Sequence, residues 1–411
     1  MEPFPDPRHE PGVRRLPEAL AGASVLVTGG TGTTGKLLIQ WLLQEAGASR
    51  VIAFSRDEQK HHDLIQDPRF QHPALQSMVG DIRDQSRLRH ALEGVSLVLH
   101  TAAMKHVPIA EANPTEAVRT NIEGTMNLID ASRDAGVSRV IAHSTDKAVE
   151  PACIYGATKL VMEKLLIRAN AESGASGPRF DIVRHGNLVG SRGSVIPLFE
   201  EQMSSGKLTV TDPEMTRFWI NGTTLVSIVH RTIVDGRGGE IFVPKIPSTT
   251  VVELAKSVAP HLPHKVIGIR PGEKLHEELL ISADMLTTPH HKILRAQEGT
   301  LSEFEIATAL KDLRRAIDTL DEDGARAVIA RWVDAGAPRG NESDLPPAIN
   351  WPEEDIWRLA DRYGREPDLV VGSTPWTQSA AGQDQWWQPV IETGLTEDRW
   401  VTGLEVRPSE R

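Results

Sequence analysis

Short apolar, β-branched runs alternate with helix-period segments through the first half of the chain. SVLVTGG, residues 24–30, reads as a buried strand. GKLLIQWLLQEAG, residues 35–47, carries the spacing of an amphipathic helix. RVIAFS, LQSMVGD, SLVLHTAA, RVIAHS and FDIVRHGN repeat the first pattern, and SRLRHALEG, TEAVRTNIEGTMNLIDASRDAG and ATKLVMEKLLIRANAESG repeat the second between them. That alternation predicts an α/β fold, a doubly wound parallel sheet with helices on both faces.

Past about Gly190 the order becomes irregular, with KLTVTD, EIFVPK and KVIGIRP as strand-like pieces. LSEFEIATALKDLRRAIDTLDEDGARAVIARWVDAG reads as one or two helices. The expected organisation is a flexible arm over 1–21, a sheet domain over 22–190, a smaller lobe with trailing helices over 191–336, some of it returning to the sheet, and an irregular tail over 337–411. Six of the nine Trp and eight of the 27 Pro fall in that tail, which argues against pure disorder and for Trp anchors packed on the body or on a partner.

Composition narrows the function classes. The chain has 411 residues, 39% hydrophobic and 25% charged, as in ordinary globular proteins. A net charge of -11 disfavours nucleic acid and anionic membrane as partners. The single cysteine, Cys153, excludes an intrachain disulfide and fits a reducing compartment. No apolar run approaches the ~20 residues of a membrane helix. The N-terminus lacks the order of a signal peptide, so a cytoplasmic protein is expected.

VLVTGGTGTTGKLL follows a strand and opens a helix, with Gly29, Gly32 and Gly35 three apart. Small residues let the backbone approach a pyrophosphate, and the helix N-terminus supplies N–H groups. Thr28, Thr33 and Thr34 flank the glycines. The alternative is a tight glycine turn without a ligand. A Rossmann-type sheet normally carries an acid for the NAD ribose after its second strand. Here that strand ends in Ser55 and Arg56, with Lys60 beyond; a hydroxyl and a guanidinium suit a 2′-phosphate, favouring NADP. Asp57 and Glu58 equally suit a helix start. Asp81, followed by Ile82, stands where a carboxylate would accept from the adenine amine, or cap a helix. Ala102 and Ala103 in HTAAM would let the ribose and nicotinamide pass.

STDKAVEPACIYGATK, residues 144–159, places Tyr155 and Lys159 at i and i+4, on one helix face. A nearby Lys lowers a tyrosine's pKa and can hold a ribose. Thr145 closes the preceding strand, completing a set for oxidising a secondary alcohol. Asp146 and Lys147 have no task in simple hydride transfer. They fit a dehydration: once the alcohol is a ketone, Lys147 removes the acidic adjacent proton and Asp146 protonates the hydroxyl one carbon further on. The alternative is an Asp-Lys turn that shapes the loop.

TGGTGTTG, SRDE, GDIRD, HTAAMKHVPIAEANP, TNIEGT, STDKA, YGATK, RHGNLVGSRGSVIPLF, MTRFWI, GGEIFVPKIPS and IRPGEKLHE run in order. Over residues 22–290 the chain resembles the soluble inverting UDP-N-acetylglucosamine 4,6-dehydratases, extended short-chain dehydrogenases/reductases of polysaccharide biosynthesis. The resemblance implies bound NADP, a cytoplasmic UDP-sugar substrate, and a homo-oligomer, with a hexamer as the suggested size. It implies oxidation at C4, loss of water across C5 and C6, and reduction at C6, giving a 4-keto-6-deoxy sugar inverted at C5. Matched positions give Tyr155 as the C4 base, Asp146 as the acid at O6 and Lys147 as the base at C5, supported by Thr145 and Lys159. Asn121 matches the cofactor site and Lys105 both cofactor and substrate. Asn187, Arg192, Gly193, Ser194 and Val195 match the uridine-diphosphate face, Arg217 and Arg270 diphosphate or uridine contacts, and Glu273 a ribose or packing contact. His185, Glu150 and Thr34 depart from the usual tyrosine, asparagine and phenylalanine.

His61-His62 and His290-His291 lack metal-site spacing and read as solvated surface pairs; no metal is expected. Competing readings are a UDP-sugar 4-epimerase, which has no use for Asp146 and Lys147, a 5-epimerase, whose relatives lack the tyrosine present here as Tyr155, and a silent NADP-binding scaffold, for which the complete Thr-Asp-Lys-Tyr-Lys set would be superfluous.

Overall fold

The computed structural model describes residues 20–336, apart from 175, 192, 271, 281–284, 297–302 and 320. The arm up to residue 19 and the tail 337–411 lie outside the described residues, as does Arg192.

Fourteen strands are described: β1 (Ser24–Thr28), β2 (Arg50–Ser55), β3 (Leu75–Val79), β4 (Leu97–His100), β5 (Arg139–Thr145), β6 (Arg179–His185), β7 (Asn187–Leu188), β8 (Leu208–Val210), β9 (Thr216–Ile220), β10 (Ile241–Pro244), β11 (Ser248–Thr250), β12 (His264–Val266), β13 (Met285–Thr287) and β14 (Ile293–Ala296). The main sheet runs β13-β14-β10-β6-β5-β4-β1-β2-β3. β10 and the strands from β6 to β3 pair in parallel, while β13 and β14 close the edge antiparallel. The strand order reverses between β1 and β4, and a doubly wound sheet opens its ligand crevice at that reversal, beyond the carboxyl ends of the strands. The fold is Rossmann-type.

β4 is buried at every position, and β1 and β2 nearly so, because helices cover both faces. One core layer contains Leu26, Ile52, Val98, Val140 and Ile182; the other contains Val25, Val27, Val51, Leu99 and Ile141. Successive residues of β1 alternate between these layers, as a period of two requires. Local chemistry sets the helix starts. The Asp57 side chain accepts from Lys60 N, the Asp84 side chain from Arg87 N, and Thr250 with Glu253 forms a capping box.

The chain after β6 builds two small sheets, β11-β9-β7 and β12-β8, around a third core of Phe199, Leu208, Val210, Met215, Val251 and Ala255. EIFVPK does not stay with them: as β10 it returns beside β6. The last described segment forms two helices, Glu303–Asp318 and Glu322–Gly336. Among the described residues no helix is long and apolar enough to cross a membrane, and no cluster of three His, Cys, Asp or Glu is disposed to hold a metal.

Candidate active site

Two adjoining cavities open where the strand order reverses. The first, about 410 Å³, is walled by the glycine loop, the end of β2 and the loop after β4. Gly29, Gly32, Thr33, Thr34, Gly35, Ser55, Arg56, Lys60, Ile82, Ala102, Ala103 and Lys105 all line it. Gly29 has φ +68°, and a Cβ there would lie 2.9 Å from the Ala102 backbone; one on Gly35 would meet the Gly29 carbonyl. The loop is thus folded tightly enough for backbone alone to form the cradle, at the N-terminus of the helix Thr33–Gln44. These residues fit a dinucleotide.

Five predicted cofactor residues do not line that cavity: Tyr155 and Lys159 line the second one, and Thr28, Asn121 and Asp81 line neither. Thr28 Oγ1 pairs with His100 Nδ1 at 2.8 Å and accepts from Thr101 N and Ala102 N. Asn121 lies in a π-helical turn, accepts from Met104 N and donates to Met104 O and Thr158 Oγ1, fixing the loop after β4 from behind. Asp81 is engaged by Arg83, whose backbone N, Nε and Nη2 all donate to it. Burial alone would raise the Asp81 carboxyl; the Arg83 bonds outweigh it and lower the pKa.

The second cavity, about 380 Å³, is shared by the sheet and the smaller lobe. Thr145, Lys147, Tyr155 and Lys159 line it, with Lys105, Asn187, Gly193, Ser194, Val195, Arg217, Arg270 and Glu273. Tertiary folding therefore brings the predicted sets together, although Thr145 at the end of β5 and Arg270 beyond β12 are far apart in the primary chain.

Asp146 is wholly buried behind Lys147 and does not face the cavity. Its Oδ1 accepts from Thr145 Oγ1 at 2.9 Å and from Lys147 Nζ at 3.1 Å, while Oδ2 has no hydrogen-bond partner. Lys147 is also 3.1 Å from Glu277 Oε1, a buried carboxylate that sequence reasoning missed. Glu277 stands four residues past Glu273 in GEKLHEELL, where nothing but an acid near an apolar pair marks it. Burial works against charge on Lys147, but Asp146 and Glu277 outweigh it and raise its pKa.

Burial pushes the Tyr155 phenol up to about 12, opposed by the charge of Lys147 and a hydrogen bond with Thr145. The cation acting on Tyr155 is thus Lys147. Lys159 turns its Nζ to Met162 Sδ at 3.1 Å; burial lowers it to about 8, with Glu163 pulling the other way. Gly156, between them, is required by packing: a Cβ there would fall on the Lys147 carbonyl.

A family model described as polysaccharide biosynthesis protein matches residues 25–298. The chain belongs to that family. It is 48% identical over 263 residues to the UDP-N-acetylglucosamine 4,6-dehydratase (inverting) of Campylobacter jejuni, covering 64% of this chain and 78% of that enzyme. A UDP-glucose 4-epimerase of Rickettsia rickettsii is 40% identical over 271 residues, covering 64% and 79%. Among solved structures, Pen from Bacillus thuringiensis aligns with TM-score 0.64 and 37% identity over 69% of this chain and 90% of that one. DesIV, a dTDP-glucose 4,6-dehydratase from Streptomyces venezuelae with NAD and TYD bound, aligns with TM-score 0.54 and 26% identity over 62% and 88%.

The positions that depart from the family pattern have distinct settings. His185 lines the substrate-side cavity, donates from Nδ1 to Gly186 O at 2.7 Å, and is lowered by burial. Thr34 touches both cavities. Glu150 is the one non-glycine residue with positive φ, +40°, among the described residues. Cys153 is buried at the start of the helix Ile154–Glu172, where its Sγ accepts from Gly156 N. Two expectations are corrected. His61 and His290 are not solvated: each is buried, His61 between Ser55 and Ser77, His290 against His291. The Ser55 and Ser77 hydroxyls at His61 and the Lys292 N–H at His290 Nδ1 replace the water that the sequence suggested, while His62 and His291 are exposed as expected.

Proposed function

We propose that this protein is an NADP-dependent UDP-N-acetylglucosamine 4,6-dehydratase that inverts the sugar at C5. The observation that carries the reading is the Asp146–Lys147 pair, hydrogen-bonded at 3.1 Å, with Lys147 in the same cavity wall as Tyr155. Alcohol oxidation or 4-epimerisation has no task for that pair. The name of the 48% identical relative supports the substrate and the stereochemistry. Ser55 and Arg56, in place of an acid at the end of β2, support NADP. The reading carries with it a cytoplasmic homo-oligomer.

A dinucleotide held by the glycine loop, Ser55, Arg56 and Lys60 would supply the hydride acceptor for C4 and the hydride donor for C6. Tyr155 receives the O4 proton, with Thr145 holding the same oxygen. A phenol at about 12 must first lose its own proton, so this step gains with rising pH. Lys147, as the neutral amine, takes the proton from C5. Asp146, as the acid, gives its proton to O6, which leaves as water; it stands behind Lys147 here, so this step requires its unpartnered Oδ2 to turn to the cavity. Elimination turns amine and acid into ammonium and carboxylate, the ion pair found here. A proton passed back across the 3.1 Å hydrogen bond restores both groups. A solvent proton delivered to the opposite face of C5 gives the inversion, and Tyr155 releases the O4 proton to solvent, which closes the cycle.

The test is incubation of the protein with UDP-N-acetylglucosamine in deuterated water, followed by NMR. A 4-keto sugar with a C6 methyl, deuterium at C5 and L-arabino couplings is expected. Retained C5 configuration refutes inversion, a C4-epimerised sugar without a methyl establishes the epimerase, and bound NADP with no turnover of any UDP-sugar establishes the scaffold.

A further inference from the structure

Behind the Ser55 wall of the dinucleotide cavity lies a buried imidazole that the chemistry above does not use. His61, 4% exposed, sits on the helix Glu58–Gln66. Its Nε2 lies 3.1 Å from the Ser55 carbonyl and 2.9 Å from Ser55 Oγ. Its Nδ1 lies 2.6 Å from Ser77 Oγ on β3. Ser55 Oγ lies 2.8 Å from Thr31 Oγ1, and both Ser55 and Thr31 line the cavity. The groups form one line from the sheet edge to the glycine loop.

The direction of each bond follows from donor chemistry. A carbonyl oxygen only accepts, so His61 Nε2 carries the proton. In the neutral ring Nδ1 is then bare and accepts from the Ser77 hydroxyl. Burial lowers the ring's pKa and so favours this neutral form. Ser55 Oγ accepts from Nε2–H, and its single proton must point away from His61, to Thr31 or to a ligand. An outward proton suits an acceptor-only group. A free ribose hydroxyl is matched instead by a carboxylate, the usual residue at this strand end for NAD. The neighbouring cations are partly committed: Lys60 pairs with Asp57 at 2.7 Å and Arg56 approaches Asp81 at 3.8 Å.

We propose that His61 is a positioning residue of the cofactor site, which fixes the Ser55 hydroxyl as a donor and thereby selects a dinucleotide with a 2′-phosphate over one with a free 2′-hydroxyl. This rests on the NADP reading above and gives it a mechanism.

The test measures dissociation constants of NADP and NAD on the full-length protein freed of resident dinucleotide, for the wild type, His61→Leu and His61→Gln. The wild type is expected to prefer NADP. His61→Leu, which removes the donor, should lose about tenfold of that preference, the worth of one hydrogen bond to a charged group, with NAD affinity nearly unchanged. His61→Gln, which keeps an N–H near the Nε2 position, should retain most of it. Equal loss for both dinucleotides in His61→Leu means that His61 only packs, and overturns the proposal. A wild type that prefers NAD overturns the NADP reading, and the proposal with it. If His61→Leu does not fold, Ser55→Ala removes the hydroxyl that His61 orients; an unchanged preference there overturns the proposal as well.

Discussion

Replacing Arg184 by Met tests how the substrate-side wall is held. Arg184 on β6 and Glu163 on the helix Ile154–Glu172 are both without exposure. The pair is bidentate, Nη2 to Oε2 at 2.6 Å and Nε to Oε1 at 3.0 Å, and Arg184 Nη1 also donates to the Leu279 carbonyl at 3.3 Å. Arg184→Met removes the cation and leaves a buried carboxylate without it. Breaking such a pair costs about 3–5 kcal/mol. That is a large part of the ~5–15 kcal/mol that holds a domain together. Replacing both members, Glu163→Leu with Arg184→Met, removes the charge as well as its partner and should recover most of the loss. The assay is urea unfolding at fixed dinucleotide concentration, because bound ligand adds to apparent stability. A loss below about 1 kcal/mol for Arg184→Met refutes the reasoning. So does a double variant that costs the sum of the two single ones, since coupled partners do not add.

Three further outcomes are expected. In Glu277→Gln, Lys147 loses one of two anionic partners, so its pKa falls and its labelling by an amine-selective reagent, read by mass spectrometry, should begin at lower pH than in the wild type; an unmoved labelling profile contradicts the pairing. Gly156→Ala pushes a methyl onto the Lys147 carbonyl and must displace the Asp146–Ala148 turn, so turnover should fall about 100-fold with NADP affinity kept; wild-type turnover would show that the turn does not position the chemistry. Glu150→Asn places a residue that tolerates left-handed backbone at φ +40° and should stabilise by about 1 kcal/mol in urea unfolding; no gain argues against strain at that position.

Local pattern alone determined much of this protein. Strand and helix periodicity marked the strands of the parallel sheet, because a strand covered on both faces must be apolar throughout. The glycine loop and the Tyr155–Lys159 face were legible for a related reason: each depends on residues close together in the chain. Tertiary structure decided the rest. Glu277 reaches Lys147 across 130 positions (277 − 147), and no periodicity encodes which distant carboxylate will neutralise a buried ammonium. Asp81 is taken by Arg83, and His61 is drawn under Ser55, because burial strips polar groups of water and protein partners must replace it. Spacing places a side chain on a face; packing decides what that face meets.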